Sequence, residues 1–188
     1  MKIRYNAPTV LTFAFLSALV LILTQTLFPS LTMEWFAVRG RQDYSPLMFR
    51  NYVNLFTHVL GHSSWTHLVG NFAFILVIGP ILEEIYGSIS LLIMIGITAL
   101  VTGILNILFF STGLMGASGI VFMMILLASF TNVNRGEIPL TFIMVLVLYL
   151  GRELIASFNP DLGQDVSQFA HIVGGFIGSL FGFFRGGK

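Results

Sequence analysis

The sequence predicts an all-α, polytopic membrane protein with six transmembrane helices in a single membrane domain, residues 1–188. The first observation behind this prediction is composition: 56% of the residues are hydrophobic, 9% are charged, and the mean hydropathy is +0.91. A soluble domain carries about 25% charged residues. The second observation is that apolar segments of membrane-spanning length recur along the chain. A chain of 188 residues has room for one such domain.

Six apolar segments reach or approach the roughly 17–25 residues that cross the hydrocarbon core. They are residues 9–28, 67–82, 88–110, 118–131, 138–155 and 169–184. The first follows a short basic start, Lys2 and Arg4, which would also suit a signal peptide. Because no small-residue cleavage site follows this segment, we expect an uncleaved anchor.

Six spans would place both termini on the same side of the membrane. The cationic residues then favour cytoplasmic termini, because cytoplasmic loops carry the excess of lysine and arginine. On that side lie Lys2, Arg4, Arg135, Arg185 and Lys188, and on the other Arg39, Arg41 and Arg50. Residues 29–66 form a long external loop whose aromatic residues, Trp35, Tyr44, Tyr52 and Trp65, suit the membrane interface.

Charge and cysteine content narrow the function. The formal net charge of +1 gives no indication of nucleic-acid binding. Cysteine is absent, so the chain forms no disulfide and offers no thiolate to a metal ion.

Polar residues begin the second, fourth and sixth spans, which all run from outside to inside. They are His67 and Asn71, then Ser118, then His171. At about 1.5 Å per helical residue, all four lie about 18–25 Å above the nearest inner-boundary charge, and therefore at similar depth. The fourth span is short, so Ser118 would begin a helix inside the membrane. The free N–H groups of such a helix start must face protein or a water-filled cavity.

These residue types suit acyl transfer. Ser118 is a candidate nucleophile and His171 the candidate base that takes its proton. The Ser118 backbone N–H, the Asn71 amide and an N–H of His67 are candidates to stabilise an oxyanion. No acidic residue lies near His171 on its own helix, which favours a Ser–His dyad over a triad. On the same face as His171 the sequence repeats glycine, at Gly174, Gly175, Gly178 and Gly182, which allows close helix contact.

Simpler interpretations exist for each residue alone. Ser118 between Gly116 and Gly119 is typical of helix packing in membranes. His58 and His62 could ligate a metal ion with His67, although a role in holding the external loop on the second span is favoured. A haem between His67 and His171 would leave Ser118 and Asn71 unexplained. No cofactor or metal is therefore expected.

The combination of motifs resembles the rhomboid family of intramembrane serine proteases. The resemblance runs from about residue 57 to residue 184 and is carried by "THVLGHSSWTHLVGN", "GPILEEIYGS", "GASGIVF" and "AHIVGGFIG". It implies a rhomboid-like helix bundle in which Ser118 is the nucleophile and His171 its general base. It also implies that His67, Asn71 and the Ser118 amide form the oxyanion hole, and that Phe122 stacks on the histidine.

The resemblance also implies supporting roles for residues outside the catalytic set. Glu83 corresponds to an acidic residue that braces the inner end of the second span, and Gly174 and Gly178 to the contact with the fourth span. One departure is that Val53 and Asn54 occupy positions where the family often carries Trp-Arg. That change puts the anchoring of the external loop in doubt, with Arg50 as a partial substitute.

The sequence therefore predicts an intramembrane serine endopeptidase in a bacterial cytoplasmic membrane. Its expected partners are the lipid bilayer and, as the resemblance implies, single-span membrane proteins whose helices are weak near their outer ends; oligomeric state is left open. Residues 157–168 are expected to form a non-helical lid, because they contain Pro160 and Gly163. The alternative is a catalytically inactive relative that binds transmembrane helices for quality control.

Overall fold

The computed structural model describes residues 2–131, 138, 140–145, 147–148 and 166–185, the last segment with the side chains of 170–184. Within these ranges the chain is helical and contains no strand, as the sequence predicts. The helices are α1 (Pro8–Thr26), α2 (Leu31–Trp35), α3 (Phe49–Thr57), α4 (Trp65–Tyr86), α5 (Ser88–Phe109), α6 (Ser118–Ala128) and α7 (Val166–Arg185). A 3₁₀ turn, His58–Leu60, follows α3, and residues 140–145 and 147–148 are also helical.

Three of the described helices are long and apolar enough to cross a membrane, namely α1, α4 and α5. Two shorter apolar helical stretches are Ser118–Ala128 and Ala170–Phe184. At about 1.5 Å per residue, the 11 residues of α6 extend only about 17 Å, well short of a hydrocarbon core of about 30 Å. Half of the predicted fifth span, residues 138–155, lies outside the described residues.

Several helix boundaries differ from the predicted ones: α1 ends at Thr26 rather than at residue 28, and α6 ends at Ala128 rather than at residue 131. The second span, predicted as residues 67–82, extends from Trp65 to Tyr86 and continues through Pro80. The helix does not stop before Glu83, because the buried carboxylate of this residue has partners on α1. The helix that corresponds to the sixth predicted span, α7, begins at Val166 rather than at residue 169. The last three residues of the predicted loop 157–168 are therefore helical. The rest of that loop lies outside the described residues.

Glu83 caps the first turn of α1 from the far end of α4. Its two carboxylate oxygens accept the backbone N–H groups of Thr9, at 2.8 Å, and Val10, at 3.0 Å. These N–H groups have no partner inside their own helix, and a negative charge there also favours the helix dipole. Glu83 thus joins α1 to α4 and lies inside the helix rather than after it.

Replacing Glu83 with glutamine is expected to lower the free energy of unfolding by about 1–3 kcal/mol, the usual effect of weakening charge-assisted hydrogen bonds at a buried site. Glu84→Gln is the matched control, because Glu84 is the next residue of α4 and is exposed. The control should change stability by less than about 0.5 kcal/mol. Unfolding in detergent measures both, and equal effects of the two substitutions would contradict this role of Glu83.

The external segment between α1 and α4 is held by backbone-directed hydrogen bonds. The Asn54 amide donates to the carbonyl oxygens of Glu34, at 3.0 Å, and Ala37, at 2.9 Å. Arg50 lies 4.0 Å from the Glu34 carboxylate, which makes an ion pair between α3 and α2. Asn54 therefore anchors the loop at one of the two positions where the family often carries Trp-Arg, and Arg50 supports it.

The helix α3 presents two different faces. Phe49, Tyr52 and Phe56, spaced at i, i+3 and i+7, are exposed, whereas Asn51 and Asn54 are buried. A helix with an exposed apolar face and a buried polar one suits the membrane interface. This arrangement agrees with the expectation that part of the loop lies on the bilayer.

Candidate active site

Ser118 is the first residue of α6 and is half-buried. The first hydrogen bond of this helix runs from the Val121 N–H to the Ala117 carbonyl oxygen, at 3.0 Å. Helix geometry therefore leaves the N–H groups of Ser118, Gly119 and Ile120 without intrahelical acceptors. The predicted nucleophile thus lies at a helix start, where backbone donors and the positive end of the helix dipole face the same space.

Gly116 allows α4 to approach this helix start. Its φ of +120° belongs to a region that favours glycine. A Cβ at this position would lie 2.7 Å from Cε1 and 2.8 Å from Nε2 of His67, and 3.9 Å from Nδ2 of Asn71. The Gly116 N–H also donates to the His58 carbonyl oxygen, at 2.9 Å. The structure therefore brings the two predicted oxyanion side chains against the glycine two residues before Ser118.

His171 lies on α7, with its ring against that of Phe122. The two rings stack with centroids 4.5 Å apart and an interplanar angle of 29°. Phe122 follows Ser118 by one helical turn, so the stack fixes the histidine ring beside the first turn of α6. The carbonyl oxygen of Ala170 lies 3.2 Å from where a Cβ at Gly119 would be. The residues that flank Ser118 and His171 are thus in direct contact.

Glycine makes this helix contact possible. A methyl group on Gly174 would overlap the carbonyl of Gly119, and one on Gly178 would overlap the carbonyl of Met123. Backbone lies directly against backbone at both positions, which is how small residues bring membrane helices together. The predicted contact between the fourth and sixth spans is therefore present, at Gly119 with Gly174 and one turn further along.

The predicted oxyanion residues are held from the external loop. The hydroxyl oxygen of Ser63 lies 3.2 Å from Nδ1 of His67, and Nδ2 of Asn71 lies 3.2 Å from Nε2 of His62. Ser64 is the N-cap residue just before α4, and its side chain accepts the His67 N–H at 3.1 Å. Together these contacts fix the first two turns of α4 relative to the loop.

The sequence favours a role for His58 and His62 in holding the external loop, but it does not indicate which residue each of them contacts. His62 contacts Asn71, whereas Nδ1 of His58 lies 3.1 Å from the carbonyl oxygen of Asn54 and its Nε2 lies 3.5 Å from the Thr102 hydroxyl on α5. The spacing of histidines shows that they lie in one segment. It does not show which helix each one faces, because residues 61–64 are not helical and follow no periodicity.

The spacing of these histidines would also allow metal binding. Among residues 2–131 and the shorter described segments, no group of three or more His, Cys, Asp or Glu side chains is arranged to hold a metal ion. Nε2 of His62 has the Asn71 amide as its neighbour at 3.2 Å.

Both loop histidines are expected to make folding pH-dependent. Burial lowers the pKa of His58 to about 4, and burial together with repulsion from His67 lowers the pKa of His62 to about 4. The unfolded chain protonates near 6.5 while the folded chain stays neutral until about 4. Stability is therefore complete above pH 6.5 and is lost as the pH falls, by about 1.4 kcal/mol per pH unit for each histidine.

The measurement is unfolding in detergent at several pH values between 7.5 and 4.5. His58→Asn should be less stable throughout and should show a shallower pH slope, by about one proton between pH 6 and 4.5. Parallel pH curves for this variant and the unmodified protein would contradict the assignment.

Comparison with known proteins identifies relatives of the chain. A family model described as "Rhomboid domain" matches residues 50–188, from the second residue of α3 to beyond α7, and includes every residue of the candidate site. A curated protein, "Rhomboid protease GlpG" of Haemophilus influenzae, is 25% identical over 130 residues, or 68% of this chain. The matched region spans 66% of that relative, just under two thirds of its length.

Proposed function

Since the chain belongs to the rhomboid family and is an integral membrane protein, we propose that it is an intramembrane serine endopeptidase. One arrangement carries the proposal. His171 stacks on Phe122 beside the first turn of α6, where Ser118 begins the helix, while His67 and Asn71 lie against Gly116. A nucleophile, a base and convergent N–H donors around one point are what acyl transfer to water requires.

In the proposed reaction the Ser118 hydroxyl attacks the carbonyl carbon of a peptide bond, and a ring nitrogen of His171 takes its proton. Negative charge develops on the carbonyl oxygen, and the Ser118 N–H, the Asn71 amide and His67 stabilise it. His171 then donates the proton to the departing amine, and a water molecule hydrolyses the acyl-enzyme in a second, equivalent step. Phe122 fixes the plane of the imidazole ring throughout, so little rearrangement is needed during the reaction.

The proposed substrate class is single-span membrane proteins with helix-weakening residues near their outer ends. A carbonyl in an intact helix is hydrogen-bonded inside the helix, so the substrate must unwind before it reaches Ser118. The chain is proposed to cross a bacterial cytoplasmic membrane six times with both termini in the cytoplasm, as a single domain. Residues 157–168 are proposed to cover the site and to move when substrate enters.

The test is cleavage by purified protein in liposomes. A single-span substrate with a Gly- or Pro-containing outer segment should be cut, and mass spectrometry of the products should locate the cut in or beside that segment. A matched substrate with leucine at the weakening positions should be cut more slowly. A fluorophosphonate probe should label Ser118, as peptide mapping can verify. The inactive-relative alternative requires that neither cleavage nor labelling occurs while the substrate helix still binds.

A further inference from the structure

His62 is a buried titratable residue that the proposed catalytic set does not include. Its side chain is only 2% exposed, and it lies between the loop and the start of α4. Each of its ring nitrogens has one neighbour: Nδ1 lies 3.2 Å from the carbonyl oxygen of Leu60, and Nε2 lies 3.2 Å from Nδ2 of Asn71. Its ring also meets the ring of His67 edge to face, with centroids 5.0 Å apart. His62 therefore contacts both side chains proposed for the oxyanion hole.

The Leu60 carbonyl determines which nitrogen of His62 carries the proton. A carbonyl oxygen only accepts hydrogen bonds, so Nδ1 must be the donor. In a neutral imidazole the other nitrogen, Nε2, then has no hydrogen and can only accept. Its neighbour on Asn71 must consequently be the NH₂ group and not the amide oxygen. Burial supports this state, because it lowers the pKa of His62 to about 4 and so keeps the ring neutral near pH 7.

The same contact decides what Asn71 presents to the site. Nδ2 is the amide atom that lies 3.9 Å from where a Cβ at Gly116 would be, so it faces the loop that leads to Ser118. One of its N–H groups points to His62, which leaves the other available on the side of Gly116. The reversed amide would present an oxygen there, and a developing oxyanion would be repelled by it.

On the basis of the proposed function, we propose that His62 is a positioning residue. Through the chain from the Leu60 carbonyl to Nδ1–H, and from Nε2 to the Asn71 amide, it fixes that amide with its N–H groups toward the oxyanion. His62 itself touches no reacting atom.

The kinetic test compares two substitutions. His62→Leu removes the acceptor and should lower kcat by about 10- to 100-fold with KM unchanged, somewhat less than the roughly 10²–10³-fold of losing an oxyanion donor outright. His62→Gln can return an oxygen near the position of Nε2 and should recover about tenfold of that loss, which a purely structural role does not predict. In an Asn71→Ala background, His62→Leu should cause no further decrease, because the two residues act in series. An equal decrease in both backgrounds would overturn the proposal.

A second measurement does not depend on activity. The chain has only four histidines, so ¹⁵N NMR of histidine-labelled protein in detergent can be assigned with the His62→Gln variant. His62 should show a protonated Nδ1 and a bare Nε2 at pH 7. The opposite tautomer would exclude the proposal even if the protein is a protease. Failure of the unmodified protein to cleave any substrate, with the expected tautomer present, would instead count against the proposed function.

Discussion

Replacing Ser118 with alanine is expected to lower kcat/KM for a transmembrane substrate by at least about 10⁴-fold, the scale seen when one member of a serine catalytic set is lost. His171→Ala should have an effect of similar size, because the hydroxyl is a weak nucleophile until a base removes its proton. The double variant should be no slower than either single variant, since both remove the same step.

The matched control for this prediction is Ser129→Ala. Ser129 lies just beyond the far end of the same helix, and its hydroxyl donates to the Ile125 carbonyl oxygen at 3.2 Å. Removal of this hydroxyl should leave the cleavage rate within about twofold of that of the unmodified protein, because the substitution is small and lies away from the site. In the His171→Ala variant, fluorophosphonate labelling of Ser118 should be reduced as strongly as cleavage is. Cleavage that persists in Ser118→Ala would end the serine-protease proposal.

Gly174→Ala is expected to be strongly damaging although it adds only one methyl group. The added Cβ would overlap the carbonyl of Gly119, which is backbone and cannot move aside as a flexible side chain does. Overpacking of this kind typically costs about 1–3 kcal/mol and sometimes more. The displacement of α7 would also shift His171 relative to Ser118, and a misplacement of about 1 Å can lower the rate by about 10²-fold.

The neighbouring glycine gives the control. A Cβ at Gly175 would meet only the flexible end of Leu126, at 3.1 Å, while alanine favours the helix by up to about 1 kcal/mol. Gly175→Ala should therefore keep stability within about 0.5 kcal/mol and retain activity. Unfolding and cleavage assays on both variants in the same detergent compare them directly. Similar losses in the two variants would show that overlap with the Gly119 backbone is not the cause.

The positions of the helices could largely be predicted from the sequence. Hydropathy is a local property, so residues 88–110 predict α5 with only one residue of error at its end. The end of the second span differs from the prediction because of a contact from elsewhere in the chain. Glu83 continues inside α4 instead of ending the span, because donors on α1, 73 and 74 residues away, satisfy its carboxylate.

For the candidate site, the sequence indicates which residues take part but not how their side chains are oriented. The residue types, their order and their similar depth indicated Ser118, His171, His67 and Asn71, because reactive groups are unusual in apolar helices and can be recognised without a structure. The orientation of those groups depends on partners in other segments, and a repeating pattern in the sequence does not reveal which residues these are. His62 contacts Asn71 across a non-helical turn. Asn54 donates to two carbonyl oxygens that lie 17 and 20 residues earlier in the chain.

By itself, then, the sequence determined that this chain is a helical membrane protein carrying a serine and a histidine that suit hydrolysis. Composition and residue spacing are enough for this conclusion, because both can be recognised within single segments of the chain. Only the tertiary structure decided that Gly119 is the residue that Gly174 meets, that Asn54 binds the carbonyl groups of Glu34 and Ala37, and that His62 faces Asn71. Each of these joins separate segments, and their geometry depends on close packing between helices, which a linear pattern does not specify.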